Sequence, residues 1–234
     1  MKAKKKIFMI LSIIGPGIIT ANAGNDAGGV TTYSAVGAQY GYSMLWGMFA
    51  IAIGLAVVQE MNARMAVVTG KGLSDLIRER FGVRWAFFAM LILLIANLGV
   101  CIGDFAGIAA SLELFKISKY ITIPFFTLLI WLLLTKGTYS KAEKVFLILT
   151  LTFFSYVITA FMLKPDWNSV ISNVFHPKAD FDKNYFLVLI GMVGTTITPY
   201  MQFYLQSSVV DKGISLKEYK YEKMDVYLGT FWGI

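Results

Sequence analysis

The sequence predicts an all-α integral membrane protein, and three observations support that prediction. Of the 234 residues, 57% are hydrophobic and only 15% are charged, whereas soluble domains have about 45–50% apolar and about 25% charged residues. The charged residues cluster in short runs between long uncharged stretches, which is the layout of membrane loops. Gly and Pro interrupt two of the apolar stretches. This composition argues against a water-soluble enzyme.

Cysteine and histidine usage excludes several kinds of site. Cys101 is the single cysteine and His176 the single histidine, so neither a disulfide framework nor a multi-histidine metal site is available. The sequence also lacks a nucleophile–base–orienter set and a phosphate-binding loop. The net charge of +7 is concentrated in the loops, where it faces the membrane surface rather than nucleic acid. We therefore expect no enzyme activity, no nucleic-acid partner and no resident cofactor.

The lengths of the uncharged stretches predict six complete spans, because a helix needs roughly 20 apolar residues to cross the hydrocarbon core. The uncharged stretch after Asp26 is too long for one span, and Gly37–Gly41 provides a turn within it. A seventh helix is expected to begin near Val226, and the chain would then end inside a helix, as a fragment of a longer protein would. The six spans cover residues 7–37, 43–67, 85–112, 120–135, 145–163 and 185–209.

Basic residues predict the orientation of these spans. With the N-terminus in the cytoplasm, 16 of the 21 Lys and Arg residues fall in inside segments, and such a bias marks the cytoplasmic side. We expect a multi-pass protein of the cell membrane, embedded in the lipid bilayer, with a cytoplasmic N-terminus. The outside loops hold Lys116, Lys119, Lys164, Lys178 and Lys183.

The N-terminus permits a second interpretation. Met1–Lys6, Ile7–Ile14 and Ala21-Asn22-Ala23 follow the pattern of a secretory signal with a charged region, an apolar region and a cleavage site. The charge bias of the later spans agrees with a retained first helix, so retention is favoured.

The first and sixth spans are expected to be broken helices. Gly24–Gly29 interrupts the first and Gly194–Pro199 the sixth. Glycine weakens a helix, and proline removes a backbone hydrogen bond. Unwound backbone at membrane depth is tolerated where it lines a wet cavity, and paired interruptions in two repeats point to a transporter substrate site. We expect one transmembrane domain over residues 1–234, with a first five-helix repeat over about 7–163 and the start of a second over about 185–234.

Asp26 lies in the first interruption, at membrane depth. A carboxylate at the bilayer centre costs about 2.5–3.5 kcal/mol on insertion scales, so it needs a partner. A cation held by Asp26 and by freed backbone carbonyls would be such a partner. Alternatively, Asp26 caps the half-helix that begins at Ala27, and the two roles are compatible. We expect Asp26 to be a metal ligand.

Short motifs along nearly the whole chain occur in a characteristic order. The most specific are Gly15-Pro16-Gly17, Asp26-Ala27-Gly28-Gly29, Gly37–Tyr42, Leu45-Trp46 and Thr69–Leu73. They are followed by Asp104-Phe105-Ala106, Glu143-Lys144, and Tyr204-Leu205 with Ser207-Ser208. These motifs resemble the Nramp (natural resistance-associated macrophage protein) family of divalent-metal transporters. The resemblance implies a LeuT-like inverted-repeat fold, of which this chain would contain somewhat more than the first half.

Two departures from the family's motifs alter the metal site that the resemblance implies. The family's Asp-Pro-Gly-Asn ends here in Gly29, which lacks the asparagine amide ligand. The family's Ala-x-x-Met-Pro-His reads Thr195–Tyr200, in which Thr195 would offer its backbone carbonyl and Thr198 replaces the metal-binding Met. The implied site comprises Asp26, Ala23, Gly29, Thr195 and Thr198.

Two further departures concern proton movement. Tyr200 replaces the family's histidine, and Gly107 replaces the glutamate of Asp-Leu-Ala-Glu. Asp104 is retained and lies on one helix face with Asn97, so both are expected to line a proton or water path, with Tyr200 beside it, or to make structural hydrogen bonds. Histidine is the side chain whose pKa suits proton exchange near neutral pH, and His176 is expected in an outside loop. We therefore predict transport without proton coupling.

The donor atoms of the implied site favour a hard cation. A thioether suits transition metals, whereas carboxylate, carbonyl, hydroxyl and water suit Mg²⁺, Ca²⁺ and Mn²⁺. Mg²⁺ dehydrates reluctantly and is usually held by one or two carboxylates with several waters. The sequence thus resembles the Nramp-related magnesium transporter branch, and predicts passage of Mg²⁺ or Mn²⁺ by alternating access. The segment after Pro199 is one residue longer than the family pattern, and Met201 turned toward the site would restore a thioether.

Two alternative transport functions stay open. A proton-coupled Mn²⁺/Fe²⁺ Nramp transporter would have to tolerate the substitutions. A Na⁺-coupled LeuT-like amino-acid transporter is disfavoured, because Asp26 would repel a substrate carboxylate at the helix end where such carboxylates bind.

Overall fold

The computed structural model describes residues 17, 19–20, 23–137, 145–149, 151–176 and 182–233. Within these ranges the secondary structure is helical and contains no strand. The expected start of the first span, including Gly15 and Pro16, lies outside the described residues, as do Glu143-Lys144 and Lys178.

The helices agree with the predicted spans at most of their boundaries. Residues 145–149 are also helical and precede a short 3-10 turn at Leu151–Phe153. In chain order the helices are α1 (Ala27–Tyr40), α2 (Leu45–Thr69), α3 (Leu73–Phe81), α4 (Val83–Glu113), α5 (Lys119–Lys136), α6 (Phe154–Met162), α7 (Trp167–Phe175), α8 (Lys183–Thr196), α9 (Pro199–Asp211) and α10 (Tyr219–Gly233).

Five helical segments are long and apolar enough to cross a membrane. They are Leu45–Thr69, Val83–Glu113, Lys119–Lys136, Val145–Met162 and Lys183–Asp211. Large apolar side chains of α4 and α5, such as Phe87 and Trp131, are more than half exposed. Exposed apolar surface of this extent is what lipid-facing helices require.

Three local expectations need correction. Residues 73–81 and 167–175 form short helices that the spacing of the charges did not indicate. The second of these begins where the Asp166 carboxylate accepts from the backbone N–H of Asn168 at 3.1 Å, which is a side-chain N-cap. The last helix begins at Tyr219 rather than near Val226, because Tyr219 and Glu222 extend it before the apolar run starts.

Both expected helix breaks are present, and each ends before the position that the sequence indicated. Helical residues at 17 and 19–20 are followed by turns and bends over 23–26, and α1 then begins at Ala27. The second break is confined to Ile197 and Thr198, between α8 and α9. Pro199 occupies the first position of α9, where its missing N–H costs nothing.

Helix α2 holds the elements on either side of the breaks together. One buried cluster joins it to α9 and α10 through residues such as Ala63, Leu205 and Val226. A second cluster joins it to α1 and α8 through Ile51, Met192 and neighbours. The two broken spans are therefore fixed against one common helix.

Candidate metal site

Asp26 lies at the end of the first break and caps α1. Its backbone is extended, and its Oδ1 accepts a hydrogen bond from the Gly29 N–H at 2.7 Å. This bond satisfies one of the free donors at the helix N-terminus and orients the carboxylate. The capping role expected for Asp26 is thus present, and it fixes the position of a negative charge at the break.

Gly29 contributes a donor to this arrangement rather than a side-chain ligand. It is buried, and a Cβ added there would lie 2.2 Å from the carbonyl oxygen of Gly24. A side chain at position 29 would therefore displace the backbone of the break. The local packing therefore leaves no room for the asparagine side chain that the family's motif has at this position.

Tyr200 connects the two breaks. It lies in the first turn of α9, and its hydroxyl donates to the carbonyl oxygen of Ala23 at 3.2 Å. The same side chain interacts with Thr198, Asp26 and Asp104. Residues from both breaks therefore converge at one place, as paired interruptions in the sequence predicted.

The second break offers neutral oxygen atoms. The Thr195 carbonyl has no helical donor four residues later, because residue 199 is proline. The Thr198 hydroxyl is buried and makes no hydrogen bond of ordinary geometry with the described residues, although Tyr200 lies nearby. Thr196 points elsewhere, since its hydroxyl donates to the Met192 carbonyl and contacts the Tyr33 hydroxyl.

Asp104 lies beside the site. Its Oδ1 accepts from the backbone N–H of Ala27 at 3.3 Å, and its charge interacts with that of Asp26. The sequence analysis did not predict this contact between Asp104 and Ala27. The available signal was Ala27 itself, because a proline at that position would have no N–H to donate.

Asn97 is separate from Asp104 in its surroundings. It lines a largely apolar cavity of about 570 Å³, whose other lining residues include Ala23, Tyr200 and the buried Met201. This cavity opens directly beside the converging breaks. Asn97 itself is exposed on α4, and its place on a proton or water path stays a prediction.

The described residues contain no group of three or more His, Cys, Asp and Glu side chains placed to hold a metal ion. The donors that do converge around Tyr200 are two carboxylates, the Ala23 carbonyl and the Thr198 hydroxyl. Such a set suits a cation that retains part of its water shell.

A family model described as "Natural resistance-associated macrophage protein-like" matches residues 17–234. The chain belongs to the Nramp family. The resemblance predicted from the sequence motifs is thereby confirmed.

Relatives with assigned names agree with this Nramp membership. The chain is 27% identical over 199 residues to the divalent metal cation transporter MntH of Verminephrobacter eiseniae, covering 83% of this chain and 45% of the relative. It is 29% identical over 206 residues to the MntH of Staphylococcus aureus, covering 86% of this chain and 45% of the relative. The chain spans about half the length of these relatives. Its named relatives are metal transporters rather than enzymes.

The fold agrees with that of a solved Nramp structure. The manganese transporter of Eremococcus coleocola superposes with a TM-score of 0.81 at 21% identity, covering 96% of this chain and 49% of that chain. The predicted all-α, LeuT-like fold with broken first and sixth helices is confirmed. This Nramp chain is a multi-pass membrane protein.

Proposed function

We propose that the protein transports divalent metal cations, Mg²⁺ or Mn²⁺, across the membrane by alternating access. One observation carries the proposal: the hydrogen bond from Tyr200 to the Ala23 carbonyl brings the two helix breaks together beside the Asp26 carboxylate. The names of the MntH relatives and of the manganese transporter support a divalent cation as substrate.

The proposed ligands are oxygen atoms from both breaks. Asp26 supplies a carboxylate oriented by Gly29, while Ala23 and Thr195 supply backbone carbonyls and Thr198 a hydroxyl. Hard oxygen donors of this kind suit Mg²⁺ and Mn²⁺ better than soft metals. With one protein carboxylate in direct contact, the cation keeps several waters.

Alternating access requires the contact between the breaks to change during transport. A carbonyl oxygen carries two lone pairs, so Ala23 can bind a cation and accept from Tyr200 at the same time. We propose that α9 moves relative to the first span and so opens the site toward one side of the membrane. The Asp26 carboxylate, which holds the ion, stays in place during this movement.

We propose that transport proceeds without a stoichiometric proton. Tyr200 and Gly107 stand where the family's motifs have His and Glu, and the phenol of tyrosine does not titrate near neutral pH. His176 follows α7 and belongs to neither break. The electrochemical gradient of the metal itself would drive its movement.

We also propose how the chain is arranged in the membrane and what it lacks. The chain forms one transmembrane domain in the cell membrane with a cytoplasmic N-terminus, contains a first repeat and the start of a second, and carries neither enzymatic activity nor a resident cofactor. The low share of basic residues in the outside loops supports this orientation.

A proton-coupled Mn²⁺/Fe²⁺ transporter is the second candidate. The observation that favours it is Met201, which is buried and lines the cavity next to Ala23 and Tyr200. Its thioether would favour a transition metal if it replaced one of the waters.

Uptake into proteoliposomes tests the proposed function. The full-length protein should accumulate labelled Mn²⁺ and should not accumulate a labelled amino acid, and excess Mg²⁺ should compete with Mn²⁺. Liposomes carrying Asp26→Asn are the matched control, because asparagine preserves the helix cap and removes the charge. Amino-acid uptake driven by Na⁺, or no metal uptake above the control, would overturn the proposal.

A further inference from the structure

The N-terminus of α1 and the C-terminal part of α4 approach each other unusually closely. A Cβ added at Gly107 would lie 2.4 Å from the Cβ of Ala27. Only a residue without a side chain can therefore occupy position 107 with α4 at this distance. By contrast, a Cβ at Gly103, one turn earlier on α4, would meet no atom within 4 Å.

This close approach places the Asp104 carboxylate at the start of α1. Its Oδ1 accepts from the Ala27 N–H at 3.3 Å, at the positive end of the helix dipole, which favours an anion. The family's motif has proline at position 27 and glutamate at position 107. Both departures in this chain are therefore needed for the observed contact: alanine provides the N–H and glycine provides the space.

Two carboxylates then share the first break. Asp26 and Asp104 repel each other electrostatically, and Tyr200 lies near both. Two like charges at membrane depth are costly unless a cation neutralises them. A divalent cation cancels both charges, whereas a monovalent cation cancels only one.

We propose that Asp104 is a specificity-determining residue of the metal site. Held by the Ala27 N–H, it places a second negative charge beside Asp26 and thereby selects hydrated divalent cations over monovalent ones. This inference rests on the proposed function, since it assigns a further residue to the same site. It also gives Asp104 a role other than that of a proton carrier.

Two substitutions separate the charge of Asp104 from its position. Asp104→Asn keeps an oxygen that can accept from Ala27 and removes only the charge. Ala27→Pro removes the N–H and keeps the charge, and proline suits this position because Ala27 is the first residue of α1 and Asp26 is already extended. Gly107→Ala forces α4 away from α1, and Gly103→Ala is its matched control.

The experiment measures Mg²⁺ and Mn²⁺ affinities of the full-length protein in detergent by calorimetry, with and without excess Na⁺, together with the thermal unfolding midpoint of the metal-free protein. Loss of an outer carboxylate typically lowers metal affinity about 10- to 100-fold, and we expect that range for Asp104→Asn. Excess Na⁺ should compete more strongly in this variant than in the parent. Its metal-free midpoint should stay the same or rise, because a repulsion has been removed.

The other variants sharpen the result. Ala27→Pro and Gly107→Ala should weaken binding in the same direction, while Gly103→Ala should bind like the parent protein. If Asp104→Asn binds as the parent does, or lowers only the metal-free midpoint, Asp104 is structural and the inference is wrong. If the parent protein itself binds neither metal, the proposed function fails, which is a different outcome from failure of the inference.

Discussion

The two helix breaks leave their polar groups in opposite states. At the first break, the Asp26 carboxylate caps α1, the Ala23 carbonyl accepts from Tyr200, and the side-chain amide of Asn25 donates to the Gly233 carbonyl at 2.6 Å. At the second break, the Thr198 hydroxyl is buried without an ordinary hydrogen bond among the described residues. There, Pro199 also deprives the Thr195 carbonyl of its helical donor.

This difference suggests a division of labour in the proposed site. The first break contains charge that is already fixed in place by protein groups, so it sets how strongly a cation is held. The second break contains neutral oxygens, and one of them, the buried Thr198 hydroxyl, makes no ordinary hydrogen bond within the described residues; such a group is costly until something binds it. We expect the second break to set which divalent cation is preferred, whereas the two carboxylates at the first break favour divalent over monovalent cations. The predictions below test this division.

The largest effect is expected at the first break. Asp26→Asn should lower Mg²⁺ and Mn²⁺ affinity by more than about 100-fold, beyond the range for outer carboxylates, and should abolish saturable transport. Asparagine caps helices as well as aspartate does, so the protein should remain folded. Calorimetry on the purified protein and the elution profile on size exclusion measure the two properties.

The corresponding control is Asp26→Ala, which also removes the cap to the Gly29 N–H. It should lose the same affinity and in addition about 1 kcal/mol of stability. Equal metal affinity in the parent protein and in folded Asp26→Asn would show that the first break does not hold the ion.

A change in selectivity is expected at the second break. Thr198→Met should favour the soft ion Cd²⁺ over Mg²⁺ by about tenfold or more relative to the parent, because a thioether replaces a hydroxyl. Thr198→Val controls for the loss of the hydroxyl alone, since valine has the same shape. Competition of each metal against labelled Mn²⁺ in proteoliposomes measures the ratio.

If Thr198→Met and Thr198→Val changed the Cd²⁺ to Mg²⁺ ratio equally, the second break would not determine selectivity. If the Cd²⁺ to Mg²⁺ ratio stayed unchanged in both variants, the conclusion would be the same. Met201, whose thioether lines the neighbouring cavity, would then be the next residue to test.

The smallest effect is expected where the breaks touch. Tyr200→Phe removes the hydroxyl that donates to Ala23, and a hydrogen bond of this kind contributes about 1 kcal/mol net. The thermal unfolding midpoint should fall slightly, and metal selectivity should not change. Loss of all transport in a folded Tyr200→Phe protein would instead indicate that the hydroxyl takes part in the transport chemistry.

The sequence predicted the spans and the breaks well because these depend on local properties. Runs of apolar residues set the ends of α4 and α5 to within two residues, and Gly and Pro marked both interruptions. The short helices α3 and α7 were missed because the search followed uncharged stretches, whereas these helices contain or adjoin charged residues.

The arrangement of the site was only partly predictable. The paired breaks and the family resemblance predicted a site of Asp26, Ala23, Gly29, Thr195 and Thr198 with Tyr200 beside it. In the structure Tyr200 contacts or lies near Ala23, Asp26 and Thr198, while the ligand role of each residue stays a prediction. The position of Asp104 beside Ala27 depends on how closely α4 packs against α1. That distance follows from the absence of a side chain at Gly107, which is a tertiary property that spacing along the chain does not reveal.

The central claim is that a neutral, oxygen-rich second break and a fixed charge at the first carry a hydrated divalent cation without a proton. The most direct test uses proteoliposomes of the full-length protein that report internal metal and internal pH together, with the membrane potential clamped. We predict that Mn²⁺ enters along its gradient, that excess Mg²⁺ competes with it, and that internal pH stays constant. Acidification that follows metal entry, or Mn²⁺ uptake that Mg²⁺ does not reduce, would contradict this account and favour a proton-coupled transition-metal transporter.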